Sequence, residues 1–187
     1  MKALALACLS APALACPSAE DLARGVAFIT DRGFLDLHVS RGEGLVETER
    51  LTQSGGVTGT SASALYGLYL LASKTDGLSF RYTWPAGIDA LPYPQLGLSE
   101  EIGLITEQDK FPFPGIFQIS VGETPIQSRF GECTLETWGI ATEVMLDEES
   151  GYATFFHWYP ALGTGVPVRW SENGEETGRQ SIVGLDW

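Results

Sequence analysis

The sequence predicts an all-β protein, an antiparallel meander that forms a sandwich or a strongly curved barrel and carries a short N-terminal helix. Two observations predict this class. After Gly25, no segment of ten or more residues has a helical apolar stripe, whereas short apolar runs alternate with turn residues. Between Leu78 and Trp84, apolar and polar residues alternate, which indicates a strand with one buried and one solvated face.

The N-terminal helix is expected over residues 18–25. Ser18 is a preferred N-cap residue, Asp21 follows at the capping-box position, and Gly25 suits a helix end. Residues 53–61 are expected to form a flexible loop because they are rich in glycine and hydroxyl side chains. The predicted strands are residues 26–30, 34–40, 45–52, 65–73, 78–84, 102–107, 116–121, 126–130, 134–146, 152–159, 166–171 and 180–185.

Residues 1–15 have the pattern of a secretory signal peptide. Lys2 gives a basic start, an apolar run follows, and Ala13 and Ala15 stand at the two small-residue positions of a cleavage site. The alternative is a buried N-terminal helix. The signal interpretation predicts a periplasmic or secreted protein that begins at Cys16.

Cleavage at that point would leave two cysteines, Cys16 and Cys133. In an oxidising compartment an even pair favours one disulfide. The alternative is a lipoprotein acylated on Cys16, but Ala13 stands where a lipobox normally has leucine. A bridge across so long a loop contributes roughly 4 to 5 kcal/mol in the chain-entropy model.

Residues 16–187 are expected to form a single β domain. Two segments, 66–87 and 138–163, share an aromatic-Gly start, a strand, an acidic turn and a strand that closes in aromatics, Pro-Ala and Gly. This similarity suggests two related halves, about 25–95 and 97–187. The alternative is that any two hairpins share such turns.

The formal net charge of −13 argues against nucleic acid and anionic membranes as partners. No segment after the signal reaches the run of about 20 apolar residues that a membrane helix needs. The charge does not identify a partner, and the expected partner is an unknown envelope component or a small apolar ligand.

The sequence predicts no catalytic residue, metal site or cofactor. His38 and His157 each lie in a predicted strand without a second ligand at metal spacing, so both are interpreted as partly buried strand residues. The acidic runs 100–101, 147–149 and 175–176 are interpreted as solvated turns.

Aromatic side chains are the remaining candidates for a binding site. In residues 152–159 they occupy both faces, which indicates a strand that is covered on both sides or lines a cavity. One hypothesis is an apolar pocket; the alternative is that they fill the core. The candidate pocket residues are Tyr82, Trp84, Trp138, Phe156 and Trp158.

Three short motifs, CPSAEDLARG, GECTLE and YPALGTG, together resemble uncharacterised exported proteins of Gram-negative, alphaproteobacterial origin. The resemblance implies a periplasmic all-β domain and brings no activity with it. The expected function is a non-catalytic periplasmic module that binds or scaffolds an envelope component. A carrier of an apolar, lipid-like ligand between β-sheets is the alternative, and a hydrolase is the third hypothesis.

Overall fold

The structure, a computed structural model, describes residues 16–146 and 150–187 and confirms the all-β class. The predicted signal peptide and the acidic run 147–149 lie outside these residues. One short helix, α1 (Ala19–Leu22), and a 3-10 turn (Ile88–Ala90) accompany the strands. The strands are β1 (Val26–Thr30), β2 (Phe34–Gly42), β3 (Leu45–Thr52), β4 (Val57–Leu65), β5 (Tyr69–Thr75), β6 (Leu78–Thr83), β7 (Ser99–Gln108), β8 (Phe111–Val121), β9 (Ile126–Phe130), β10 (Cys133–Met145), β11 (Gly151–Tyr159), β12 (Thr164–Glu172), β13 (Glu175–Arg179) and β14 (Ile182–Asp186).

The strands form one antiparallel sheet in which most neighbours along the chain are also neighbours in space. The exceptions are β9, which pairs only with β10 beside the main path, and β14, which pairs with β1. The last two strands of the chain, β13 and β14, therefore stand at opposite ends of the strand order, and the described sheet does not close. Residues 180–181 link these two ends.

The curved sheet folds over two hydrophobic clusters, and β11 is shared between them. Trp158 is buried in the first cluster with Tyr69, Trp84 and Phe117. Its neighbour Tyr159 is buried in the second cluster. Successive strand residues point to opposite faces, so the end of β11 at Trp158 and Tyr159 is covered on both sides, whereas residues 151–157 are only partly buried.

The N-terminus is fixed by the predicted disulfide, which the structure confirms. Cys16 is bonded to Cys133 with 5.2 Å between their Cα atoms, across 117 residues of sequence. In α1, the Asp21 carboxylate accepts hydrogen bonds from the Ser18 N–H at 2.8 Å and the Ser18 hydroxyl at 2.9 Å. Leu22 is buried in the second cluster and so anchors the helix.

The flexible loop predicted for residues 53–61 is wrong, because most of it belongs to β4 (Val57–Leu65). Val57 pairs with Leu51 of β3, and Ser61 pairs with both Glu49 and Lys74. Pairing on both sides outweighs the low strand propensity of Gly and Ser, because sheet propensity depends strongly on neighbours.

One further strand prediction and one turn prediction need correction. The predicted strand 65–73 starts later, at Tyr69, because Tyr66 and Gly67 have positive φ values of 55° and 66° and form a turn. The acidic runs 100–101 and 175–176 are not turns. They lie in β7 and β13, although all four side chains are exposed as expected.

The two similar segments each contain a hairpin, β5–β6 in the first and β10–β11 in the second. Their common origin stays a prediction. Within the described residues, no helix has the length and apolar character to cross a membrane.

Candidate functional site

A buried polar network on β2 and β3 holds the link between β13 and β14 in place. Arg50 donates to both carboxylate oxygens of Asp36, at 2.7 and 2.8 Å, and to Gln180 Oε1 at 3.1 Å. Gln180 Nε2 donates in turn to Asp36 Oδ2 at 3.1 Å and to the Pro167 carbonyl at 2.8 Å. Buried charges require such complete pairing, and here the pairing ties both ends of the sheet together.

Beside this link lies a cleft of about 480 Å³ between β9, β11, β12 and residues 180–182. We call it the arginine cleft, because three of the protein's eleven Lys and Arg residues line it. No lining residue that the structure describes is acidic, although the protein has 24 Asp and Glu residues. Its principal side chains are Arg129, Arg169, Arg179, Phe130, Phe155 and His157.

Strand register places two of these arginines at directly opposite positions of a strand pair. Arg169 of β12 pairs directly with Arg179 of β13, and on its other side Arg169 pairs with Phe155 of β11. The Arg169 guanidinium lies 3.5 Å from the centre of the Phe155 ring. Like charges directly opposite each other destabilise a strand pair, so the ladder concentrates unfavourable positive charge here.

Carboxylates neutralise this charge only in part. Arg179 donates to Glu176 at 2.9 Å, and both side chains are exposed. The hydrogen bond from Arg179 lowers the pKa of Glu176, and the charge of Arg169 lowers it further. Arg129 donates to the Gly131 carbonyl at 3.0 Å. In the described parts of the chain, no salt bridge involves Arg129 or Arg169.

His157 lies in the same cleft and is half-buried. Burial lowers its pKa from the ordinary 6.5, so the imidazole is neutral at pH 7. It therefore offers the cleft a hydrogen-bonding ring rather than a fourth positive charge.

A smaller cleft of about 320 Å³ continues from the arginine cleft across β10. The two clefts share Phe155, His157 and Val168, and the smaller one has mostly apolar walls. We call it the apolar slot, and Gly139 and Ala141 of β10 are among the residues that line it. The two clefts together present positive charge beside an apolar surface.

The largest of the described cavities, about 750 Å³, is a groove across β2 to β7 that we call the polar groove. Its charges are mixed: Arg41 donates to Glu47 at 2.7 Å, and Lys74 and Arg81 stand among Glu49, Glu107 and Asp109. Because both signs are interspersed, the groove has no preference for either sign of ligand charge.

The five candidate pocket residues are brought together by the fold, in the first hydrophobic cluster. Tyr82, Trp84 and Trp158 are buried, and Trp138 and Phe156 pack against them. Trp84 donates its indole N–H to the Leu70 carbonyl at 3.0 Å. The side chains thus fill a core, and an apolar-ligand pocket among them stays a prediction.

His38, expected to be partly buried, is almost completely buried, with 1% of its surface exposed. Its Nδ1 lies 2.9 Å from Thr164 Oγ1. Burial lowers its pKa to about 4, against an opposing effect of Asp36. Within the described chain, no group of three or more His, Cys, Asp or Glu residues could hold a metal ion.

Comparison of the chain with protein families, curated proteins and solved structures finds no match. The fold and the cleft therefore define the protein only as a disulfide-linked antiparallel β protein with a cationic, aromatic surface site. The resemblance to exported alphaproteobacterial proteins stays a prediction.

Proposed function

We propose that the protein is a periplasmic, non-catalytic binding module that holds an anionic envelope component in the arginine cleft. The observation that carries this proposal is the direct pairing of Arg169 with Arg179. An anion bound between the two guanidinium groups would be attracted to both and would offset their mutual repulsion. Arginine suits this role because its planar fork of N–H donors matches phosphate and carboxylate groups.

The setting of the cleft supports selective rather than diffuse binding of anions. With a net charge of −13, most of the surface repels an anionic ligand. The arginine cleft is a local exception, with no acidic residue among its described lining. Such a ligand would therefore be attracted to this cleft.

The periplasmic location rests on covalent chemistry and on the predicted signal. Disulfides such as Cys16–Cys133 persist in oxidising compartments. The same bond uses the Cys16 sulfur, which favours a disulfide-linked protein over one acylated on Cys16. The carrier and hydrolase hypotheses have less support, because the five aromatic residues fill a core and His38 is buried.

Calorimetric titration with inorganic phosphate at constant ionic strength tests the proposal. Replacing Arg169 and Arg179 together by Met should lower the affinity by about tenfold or more, because hydrogen bonds to charged groups each contribute roughly 1.5–3 kcal/mol. The matched control replaces Arg24 and Arg41, which are exposed and paired elsewhere, and should stay within about twofold. Absence of saturable binding to the wild type, or equal losses in both variants, would refute the proposal.

A further inference from the structure

We infer that the arginine cleft and the apolar slot form one site for an amphipathic ligand, an anionic phosphate ester of an apolar group about the size of an aromatic ring. The inference rests on the proposed function for the anionic half of the ligand and adds the apolar half. Three features carry it: the continuity of the two clefts, the space above Gly139, and the charges around the slot.

The two clefts meet at Phe155 and His157. Both side chains line both clefts, together with Val168. In the arginine cleft, the Arg169 guanidinium lies over the Phe155 ring. The apolar slot reaches the same residue from the side of β10. A ligand whose anionic group meets Arg169 would therefore have an apolar surface within reach of its substituent.

Gly139 leaves this surface open, although the backbone conformation does not require a glycine at this position. It lies inside β10, opposite His157, and it is not among the glycines with positive φ. A Cβ atom placed on Gly139 would meet nothing within 4 Å. Elsewhere in the sheet, a Cβ on Gly115 or Gly151 would come within 2.7 or 2.9 Å of a backbone carbonyl oxygen. Close packing thus requires those two glycines, but it does not require Gly139.

Glycine inside a strand weakens the strand, and it often marks a place where another group approaches closely. At Gly139 the approaching group is absent from the chain itself, because the space is empty and exposed. A ligand that packs on the strand at this point would fill the space. The slot volume of about 320 Å³ is sufficient for an aromatic ring, since a cavity of about 150 Å³ already binds benzene.

Charge fixes the direction of the ligand. Beyond Ala141 and Phe155, the slot adjoins a third cleft that contains Glu100, Glu101 and Glu143. These carboxylates would repel a phosphate group at that end. The anionic group therefore belongs at the arginine end. Because carboxylates lie at the other end, the apolar substituent should not carry a second negative charge there.

The experiment compares inorganic phosphate, phenyl phosphate and phenol by calorimetry. Wild-type protein is expected to bind phenyl phosphate about tenfold more tightly than phosphate, because the ring is buried in the slot. Gly139→Val should remove this advantage, so that phenyl phosphate binds no more tightly than phosphate. A valine suits an extended strand, and thermal unfolding by circular dichroism checks that the variant is folded.

The matched control is Gly103→Val. Gly103 lies inside β7, is exposed, has no neighbour within 4 Å of an added Cβ, and lines none of the clefts described here. This variant should bind both probes like the wild type. A second measurement needs no variant: transferred magnetisation from the phenyl protons should reach the Ala141 methyl group in the slot.

The outcomes separate the two proposals. If phosphate and phenyl phosphate bind equally and both lose affinity in the Arg169/Arg179 double variant, the anion site stands and the amphipathic ligand is refuted. If neither binds, the proposed function fails as well. A further arm uses dihexanoylphosphatidate below its micelle concentration. Tighter binding of this two-chain lipid than of phenyl phosphate would contradict a ring-sized apolar group.

Discussion

Arginines occupy two neighbouring regions of this protein in opposite ways. In the buried network, Arg50 donates to both oxygens of Asp36 and to Gln180, and it lies over the rings of Phe34 and Trp170 at 5.4 and 5.9 Å. In the arginine cleft, Arg169 is paired with another arginine, Arg179, in the strand ladder. In the first region, the positive charge of Arg50 stabilises the fold. In the second region, the charge of Arg169 is, as we propose, available to a ligand.

The difference follows from where each charge sits. A buried charge must be paired, since an unpaired one would destabilise the fold. A charge at a cleft mouth is partly solvated and can remain without a carboxylate. The buried network anchors Gln180, and Gln180 lines the cleft. The stable region thus supports the region that we propose binds the ligand.

The largest expected effect on stability comes from removing the Cys16–Cys133 disulfide. Cys133 begins the strand that pairs with β9, and Arg129 lies on β9. Replacing Cys16 and Cys133 together by Ser should lower the free energy of unfolding by about 5 kcal/mol, because the unfolded chain gains loop entropy. Urea unfolding of the disulfide-bonded protein measures this loss. A change below about 1 kcal/mol would show that the disulfide does not constrain the chain in this way.

Breaking the buried ion pair should have the next largest effect. Arg50→Met leaves Asp36 buried without its cation and should lower the free energy of unfolding by about 3–5 kcal/mol. Arg169→Met is the matched control and should change it by less than about 1 kcal/mol. Urea midpoints at pH 7 measure both. Equal losses would remove the distinction between the two regions.

His38 makes the buried region sensitive to acid. Its pKa falls from 6.5 in the unfolded chain to about 4 in the folded protein. Between these values the unfolded state binds more protons, so stability is full above pH 6.5 and decreases as the pH falls towards 4. The loss is about 3 kcal/mol.

Urea unfolding at several pH values between 7 and 4 measures this slope, and His38→Gln provides the control. The variant should lose the contribution of His38 to the slope, whatever its stability at pH 7. If wild type and variant have the same pH dependence, burial does not shift the pKa of His38 as described.

The smallest expected effect concerns Glu176 and the phosphate affinity of the arginine cleft. Glu176 accepts a hydrogen bond from Arg179 and also feels the charge of Arg169, so it competes with an external anion. Glu176→Gln should raise phosphate affinity by about twofold to fivefold, as expected for an exposed pair. Glu175→Gln, the same charge change next to it, should raise it less. Calorimetry that gives equal gains for both variants would indicate only a general charge effect.

Sequence patterns predicted much of the fold because the determining information is local. Alternation in residues 78–84 and the aromatics on both faces of 152–159 indicated strands. The two cysteines that remain after the predicted signal cleavage indicated the Cys16–Cys133 bond. The strand β4 was missed because its glycines and serines gain their sheet character only from pairing with β3 and β5.

The arginine cleft could not be predicted in the same way. Arg129, Arg169 and Arg179 lie on three different strands, and the register of those strands brings them together. That register shifts at two places, Phe155/Phe156 and Trp170/Ser171. No sequence pattern indicated either shift. The alternation in residues 152–159 predicted aromatic side chains on both faces of this strand, but nothing in the sequence indicated that arginines would lie beside Phe155 and His157.

The side-chain Nε–Hε signals of the arginines, followed by NMR during titration with inorganic phosphate, test the central claim most directly. We expect the signals of Arg129, Arg169 and Arg179 to move together and to saturate with one dissociation constant, whereas the signal of Arg50 should stay in place. Equal movement of all arginine signals, or saturation at Arg50 without movement at Arg169 and Arg179, would contradict it.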